Sequence, residues 1–336
     1  MLQNRSGNVP AIFGLACCIA LIAIPPTQAQ VPGGKNIQIP PSPTEAVEFR
    51  SVANEGPEMK TGEALVTHPV KALEGKAARA YWPASYFFNF KASDGQTHYC
   101  SGTLIGSRTL LTAAHCIPAS NTLTLVNQDT KFNLSCRKNT AFDAGGVQAC
   151  FESANCPAAS DVALCFLSNA PVVQRLEVVA PAENLSIGMR TLISGFGCTD
   201  QSVPQTGSTP SGTRQVLTVG WAAVGRRPSQ GNSLIQLVSD SHLGANKPAG
   251  LPAANAQLCK GDSGGGTYAA GMNEALWDQR ALLGVNSFYF EQASYVVSLS
   301  TKAIRDFMST WATQHSTDIC GVTNANSSLC GRSLKN

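Results

Sequence analysis

Short runs rich in β-branched and aromatic residues, each bounded by Gly, Ser, Asn or Pro, recur along most of the chain: SYFFNF, GTLIG, TLTLVN, DVALCFL, RTLISGFG, RQVLTVGWAAV, ALLGVNSFYF and SYVVSLS. Runs of this length and composition predict strands. No helix-length periodic segments alternate with them, so parallel βαβ units are disfavoured and the body reads as all-β. One helix is predicted near the end, over 300–314. Ser300 or Thr301 can cap it, and Ile304, Phe307, Met308 and Trp311 recur at helical spacing, giving an apolar stripe to dock on the β body. Beyond it, residues 315–336 form a polar tail in which Cys320 and Cys330 are close enough to bridge locally.

Two N-terminal stretches break the pattern. Arg5 precedes an apolar run from Ala11 to Ile24, followed by small residues at Thr27 and Ala29. This reads as a signal peptide, 1–29, removed after Ala29, because the run is short for a membrane span and of ordinary length for a signal. A retained anchor and a lipoprotein site at Cys17 or Cys18 are the alternatives. No stable membrane insertion is expected once the signal is gone. Residues 30–71 are rich in Pro and polar groups without a sustained period, which predicts a propeptide or linker.

Composition narrows the class. The chain has 336 residues, 43% hydrophobic and 13% charged, enough for a sizeable core and unlike a disordered segment. The net charge of +3 is not gathered into Lys/Arg runs, so no nucleic-acid partner is indicated. Signal removal takes two of the 12 cysteines and leaves Cys100, Cys116, Cys136, Cys150, Cys156, Cys165, Cys198, Cys259, Cys320 and Cys330. An even count on an exported chain points to disulfides in an oxidising compartment, and the location is expected to be secreted or periplasmic. The cysteines are dispersed, form no CxxC pair and do not cluster with the five histidines, so neither a metal nor a cofactor is indicated.

Three motifs carry candidate chemistry. His115 lies in LLTAAHC, Asp161 in SDVALCFL and Ser263 in CKGDSGGG. Each alone has a structural explanation: a packed histidine, a strand-start cap, a glycine turn. Together they supply the groups acyl transfer needs. Ser263 would attack a carbonyl, His115 would take and return the proton, and ionised Asp161 would hold the imidazole tautomer and stabilise imidazolium. The N–H groups of Gly261 and Ser263 would receive the forming oxyanion.

On the segments CSGTLIGSRTLLTAAHC, SDVALCFL, ISGFG, CKGDSGGG and GVNSF, with the order His, Asp, Ser, the chain resembles a trypsin/chymotrypsin-type serine endopeptidase over about residues 72–314. The resemblance implies two six-stranded antiparallel Greek-key β-barrels packed side by side, about 72–185 and 186–299, followed by a C-terminal α-helix. His115 and Asp161 would come from the first barrel and Ser263 from the second. It implies that Asp262 pairs with an N-terminus freed by an activating protease. No IVGG occurs upstream, and the nearest counterpart is a cut after Lys71 that frees Ala72. A zymogen is therefore expected. A cut elsewhere, or an Asp262 that pairs internally, are the alternatives.

The resemblance also implies a Cys100–Cys116 bridge flanking the histidine. No cysteine follows GVNSF before Cys320, so Cys259 is expected to pair with Cys198. Cys136, Cys150, Cys156 and Cys165 are left unassigned. Gln257 falls at the base of the primary specificity pocket, where the absence of an acid argues against Lys or Arg as the preferred residue. Ser287, Phe288 and Tyr289 match the edge strand that pairs with substrate backbone, and a phenol at 289 either narrows the pocket or swings outward. The expected partner is a protein or peptide substrate, and the expected state a monomer. The competing readings are a catalytically silent binding protein with the same fold, and an esterase, since GDSGG also satisfies GxSxG.

Overall fold

A computed structural model of the chain describes residues 47–50, 71–74, 78, 81–91, 97–127, 130–142, 160–169, 175–180, 185–197, 217–228, 233–243, 247–272, 279–290, 293–323 and 328–331. The expected signal peptide, most of 30–71, and Cys150, Cys156 and Cys198 lie outside the described residues. Fourteen strands and a C-terminal helix dominate the rest, in accord with the all-β expectation.

The first sheet contains β1 (Val47–Arg50), β3 (Ser85–Lys91), β4 (Thr97–Gly106), β5 (Thr109–Thr112), β6 (Thr122–Asn127), β7 (Thr130–Lys138) and β8 (Ala163–Leu167). Its order, β1-β3-β4-β5-β8-β7-β6, closes into a barrel. Six strands are antiparallel neighbours, and β1 fills the seam, antiparallel to β3 and parallel to β6. The second sheet contains β2 (Lys71–Glu74), β9 (Arg190–Gly195), β10 (Thr218–Arg226), β11 (Leu234–Val238), β12 (Gly266–Ala269), β13 (Ala281–Phe290) and β14 (Ala293–Ser298). Its order is β11-β14-β13-β12-β9-β10-β2, and β10 also pairs with β11, joining six strands in a ring with β2 added outside.

Sequence pattern explains the two sheets in different ways. In β7 the side chains of Phe132, Leu134 and Cys136 are buried while Asn133, Ser135 and Arg137 are exposed, the alternation of a strand with one wet face. In β9 and β14 every residue is buried, the polar Arg190, Thr191, Ser194, Ser294 and Ser298 included, so neither strand shows that alternation. The core includes Trp82, Phe87, Phe88, Leu104, Ile105 and Leu110 on one side, and Leu237, Leu283 and Val296 on the other.

Two features differ from the sequence reading. Val47–Arg50, inside the stretch read as lacking periodic structure, is a barrel strand. Lys71–Glu74, at the start of the segment assigned to the first barrel, pairs instead with β10 of the second sheet, Lys71 opposite Gly220 and Glu74 opposite Thr218. Four residues are too few for a period to declare itself, and pairing with a strand more than 140 positions away leaves no local trace.

Helix α1 (Asp240–Leu243) is a single turn, and α2 (Lys302–His315) is the predicted C-terminal helix. Thr301 is its N-cap by backbone geometry, but its hydroxyl accepts a hydrogen bond from Ser233 Oγ (3.1 Å) instead of capping a helical N–H. Ile304, Met308 and Trp311 are buried as the spacing required, and Phe307 packs at the edge of the core. His315 stacks on Trp311 and on Phe166 of β8, with centroids 3.9 and 4.8 Å away, which docks the helix on the first barrel.

Disulfides join Cys100 to Cys116, Cys136 to Cys165, and Cys320 to Cys330. The first and third were expected; the second resolves part of the unassigned set. Cys259 is also disulfide-bonded, and its expected partner Cys198 lies outside the described residues.

Candidate active site

His115 sits in a 3₁₀ turn, Ala114–Cys116, directly after β5. The turn is tied at one end to β4 by the Cys100–Cys116 bridge and at the other by a hydrogen bond from the His115 N–H to Asp161 Oδ1 (2.9 Å). The ring follows the backbone: His115 Nδ1 lies 2.7 Å from Asp161 Oδ2. Asp161 precedes β8 and is 1% exposed. Its carboxylate takes a further hydrogen bond from Ser287 Oγ (2.5 Å). Burial alone pushes the Asp161 carboxyl up. The charge of His115, the hydrogen bonds from its ring and from Ser287 Oγ, and the His115 N–H together outweigh that and hold it below the ordinary aspartate value.

Ser263 lies in the second of two consecutive tight turns in the loop before β12. Asp262 N–H donates to Cys259 O (3.1 Å), and Gly265 N–H donates to Asp262 O (3.0 Å). The third residues of these turns are Gly261 and Gly264, with φ of 100° and 85°, the left-handed values that a type II turn demands and that glycine adopts without a Cβ penalty. Gly264 is doubly constrained, because a Cβ there would stand 2.1 Å from both Ser101 O and Thr112 Oγ1. The Asp262 carboxylate turns inward and accepts the N–H groups of Gly197 (2.8 Å) and Cys259 (3.0 Å).

These elements meet at Ser287 in β13. Its hydroxyl bonds Asp161, and its carbonyl accepts the Ser263 hydroxyl (3.1 Å). Among the described residues no hydrogen bond joins Ser263 Oγ to the His115 ring, so the serine hydroxyl is parked on the strand beside the imidazole–carboxylate pair. Likewise among the described residues, the N–H groups of Gly261 and Ser263 have no acceptor.

The remaining expected residues line the second barrel. Gln257 is partly buried between Ala256 and Leu258. Phe288 stacks on Tyr295 (centroids 4.7 Å, 11° between planes). Tyr289 is half-buried against the apolar cluster that contains Ala256 and Leu258, and burial pushes its phenol up. Lys71 and Ala72 are continuous in β2. Cys100, His115 and Cys116 are close enough together to hold an ion, but both sulfurs are spent in their mutual bond. Sequence reasoning missed two participants. Ser287 was assigned to substrate backbone, with no hint that its hydroxyl serves Asp161. Ser101 lies directly after Cys100 in CSGTLIGSRTLLTAAHC, and nothing in that segment signals that its hydroxyl donates to Gly261 O, 160 positions away.

A search of curated proteins finds no match. Among solved structures the chain is similar to an HL collagenase (16% identity, TM-score 0.45, covering 71% of this chain and 95% of that one). It is also similar to mouse neuropsin, described as a serine protease expressed in the limbic system of the brain (16% identity, TM-score 0.43, covering 69% and 94%). The family described as Trypsin matches residues 74–305, more than half of the chain and the whole span from β2 to the C-terminal helix, and the chain therefore belongs to the trypsin family.

Proposed function

We propose that the protein is an exported serine endopeptidase that cleaves peptide bonds through an acyl-enzyme. The observation that carries the reading is the buried His115–Asp161 pair set beside Ser263 and two N–H groups without acceptors. A turn about χ1 moves Ser263 Oγ from the Ser287 carbonyl toward His115 Nε2, since a serine exchanges freely among staggered rotamers. His115 then accepts the proton as Oγ attacks, Asp161 stabilises the imidazolium, and Gly261 and Ser263 bind the oxyanion. The imidazolium protonates the leaving amine, and water repeats the cycle on the ester.

Substrate preference follows from the second barrel. Gln257 supplies no negative charge at the pocket base, and Tyr289 occupies space beside it, which favours small or medium uncharged side chains over Lys or Arg. No cofactor is required by these steps, and the working unit is a monomer acting on protein or peptide. Removal of residues 1–29 places the enzyme in the periplasm or medium. Among the described residues no helix is long and apolar enough to cross a membrane. Cleavage after Lys71 is the proposed activating step. In the uncut chain Asp262 already accepts two backbone N–H groups, so the new N-terminus would add to a turn already shaped.

The full chain, exported and purified, should be labelled by a fluorophosphonate at Ser263 and should degrade denatured casein. Ser263→Ala should lower turnover by at least about 10⁴-fold. An unlabelled, inactive protein would support the silent binding reading instead. A peptide-library profile dominated by Lys and Arg would overturn the specificity, and a Lys71→Gln precursor with the full wild-type rate would remove the activation step.

A further inference from the structure

Ser101 belongs to β4 of the first barrel and is 1% exposed, yet its polar atoms serve the second barrel's catalytic turn. Its N–H donates to Ser263 O (2.7 Å) and its hydroxyl donates to Gly261 O (2.6 Å). The same hydroxyl oxygen accepts the Phe196 N–H (3.1 Å), while Thr112 Oγ1 anchors the Ser101 carbonyl (2.7 Å). The two carbonyls it grips are those of Gly261 and Ser263, the residues whose N–H groups face the proposed oxyanion. We propose that Ser101 is a positioning residue that holds the oxyanion donors in register, an assignment that rests on the endopeptidase reading above.

The need for such a clamp lies in Gly261. Its φ of 100° requires glycine, and glycine is also the residue whose flanking peptides rotate at the lowest steric cost. Catalysis by preorganised donors fails when they must be oriented during the reaction. The Gly261 carbonyl lies in the 261–262 peptide plane, between the planes that carry the two donor N–H groups, 260–261 and 262–263, so holding it limits rotation on the C-terminal side of the glycine. The neighbouring N–H groups divide between two tethers: Phe196 donates to Ser101 Oγ, and Gly197 donates to Asp262 Oδ1. The turn is thus gripped by a hydroxyl from one barrel and by its own carboxylate. Because Cys100 is bonded to Cys116, one covalent link places the clamp next to the histidine turn.

Ser101→Ala and Ser101→Gly both delete the hydroxyl and keep the N–H bond to Ser263. Each is to be compared with wild type by kcat per fluorophosphonate-titrated site, KM, and Ki for a peptide aldehyde that binds as a tetrahedral adduct. The expected result is a kcat per titrated site about 10- to 100-fold lower, KM within about threefold, and an aldehyde Ki raised in parallel with the loss in kcat. A merely structural serine would lower the fraction of titratable protein and leave those ratios unchanged. Ratios within about twofold of wild type overturn the assignment, as does failure of both variants to fold, which would make Ser101 a stability residue. A wild-type chain that neither labels nor cleaves overturns the endopeptidase reading itself and this inference with it. A labelled, active wild type with unaffected variants overturns the role of Ser101 alone.

Discussion

At the residue scale, Asp161 is the buried side chain on which both the proposed activity and the response to acid turn. Its carboxylate is removed from water and compensated by three donors: the His115 ring, the His115 N–H and Ser287 Oγ. Asp161→Asn keeps the shape but favours the wrong imidazole tautomer, and a loss of roughly 10⁴-fold in kcat is expected, measured by steady-state hydrolysis of a peptide ester or amide. The same substitution reports on stability. A carboxyl held below its unfolded value of about 4 contributes stability that is complete above that pH and fades as pH falls through the lower folded value. The stability difference between wild type and Asp161→Asn should therefore shrink as pH falls below about 4, read by urea denaturation from about pH 5 downward. A difference that grows on acidification would mean the carboxyl is not held low.

At the scale of elements, helix α2 was the part most legible in the sequence, and its C-terminus was the least. Four apolar residues at helical spacing are enough to identify a helix and its buried face, whatever it docks on. The end is a different matter: Ser316 adopts φ 46°, Thr317 N–H closes on Ala312 O (3.0 Å), and Ser316 N–H on Thr313 O (3.4 Å). This is the Schellman arrangement with serine where glycine is usual, so no glycine marks the stop. Ser316→Gly relieves the left-handed strain and should stabilise the protein by several tenths to about 1 kcal/mol, seen as a higher urea midpoint at unchanged slope. The strands show the same division. Runs such as ALLGVNSFYF carry enough β-branched and aromatic residues to declare themselves, whereas Gly266–Ala269 of β12 and Lys71–Glu74 of β2 are short and owe their state to distant partners. The three catalytic candidates were legible because each lies in a motif whose glycines, cysteine or strand start must be local. Ser287's bond to Asp161 spans 126 positions and Ser101's bond to Gly261 spans 160, and nothing local encodes either.

Across the whole molecule, the segment between the barrels is stitched to its surroundings by groups that no motif announces. Leu176 N–H donates to Leu329 O and Val179 N–H to Cys320 O, so the bridged tail lies along the connection, while Cys320 N–H reaches Ile105 O of the first barrel. Beneath them Glu177, 1% exposed, pairs with Arg280, 0% exposed, at the head of β13. The guanidinium also stands 4.3 Å above the Trp82 ring and bonds the Tyr81 carbonyl, so a single cation gathers the entry to β3, the inter-barrel connection and the second barrel. A buried pair of this kind costs much of its attraction in desolvation, so its net worth is small, but removing one partner strands the other charge. Glu177→Ala should therefore destabilise the fold by about 3–5 kcal/mol, whereas Glu177→Ala with Arg280→Met should recover most of that loss because no unpaired charge remains. Chemical denaturation of the two variants and wild type separates the possibilities. Equal destabilisation in the single and double variants would show that Arg280 acts chiefly through Trp82 and the Tyr81 carbonyl, and that the acid is incidental to holding the two barrels to their connection.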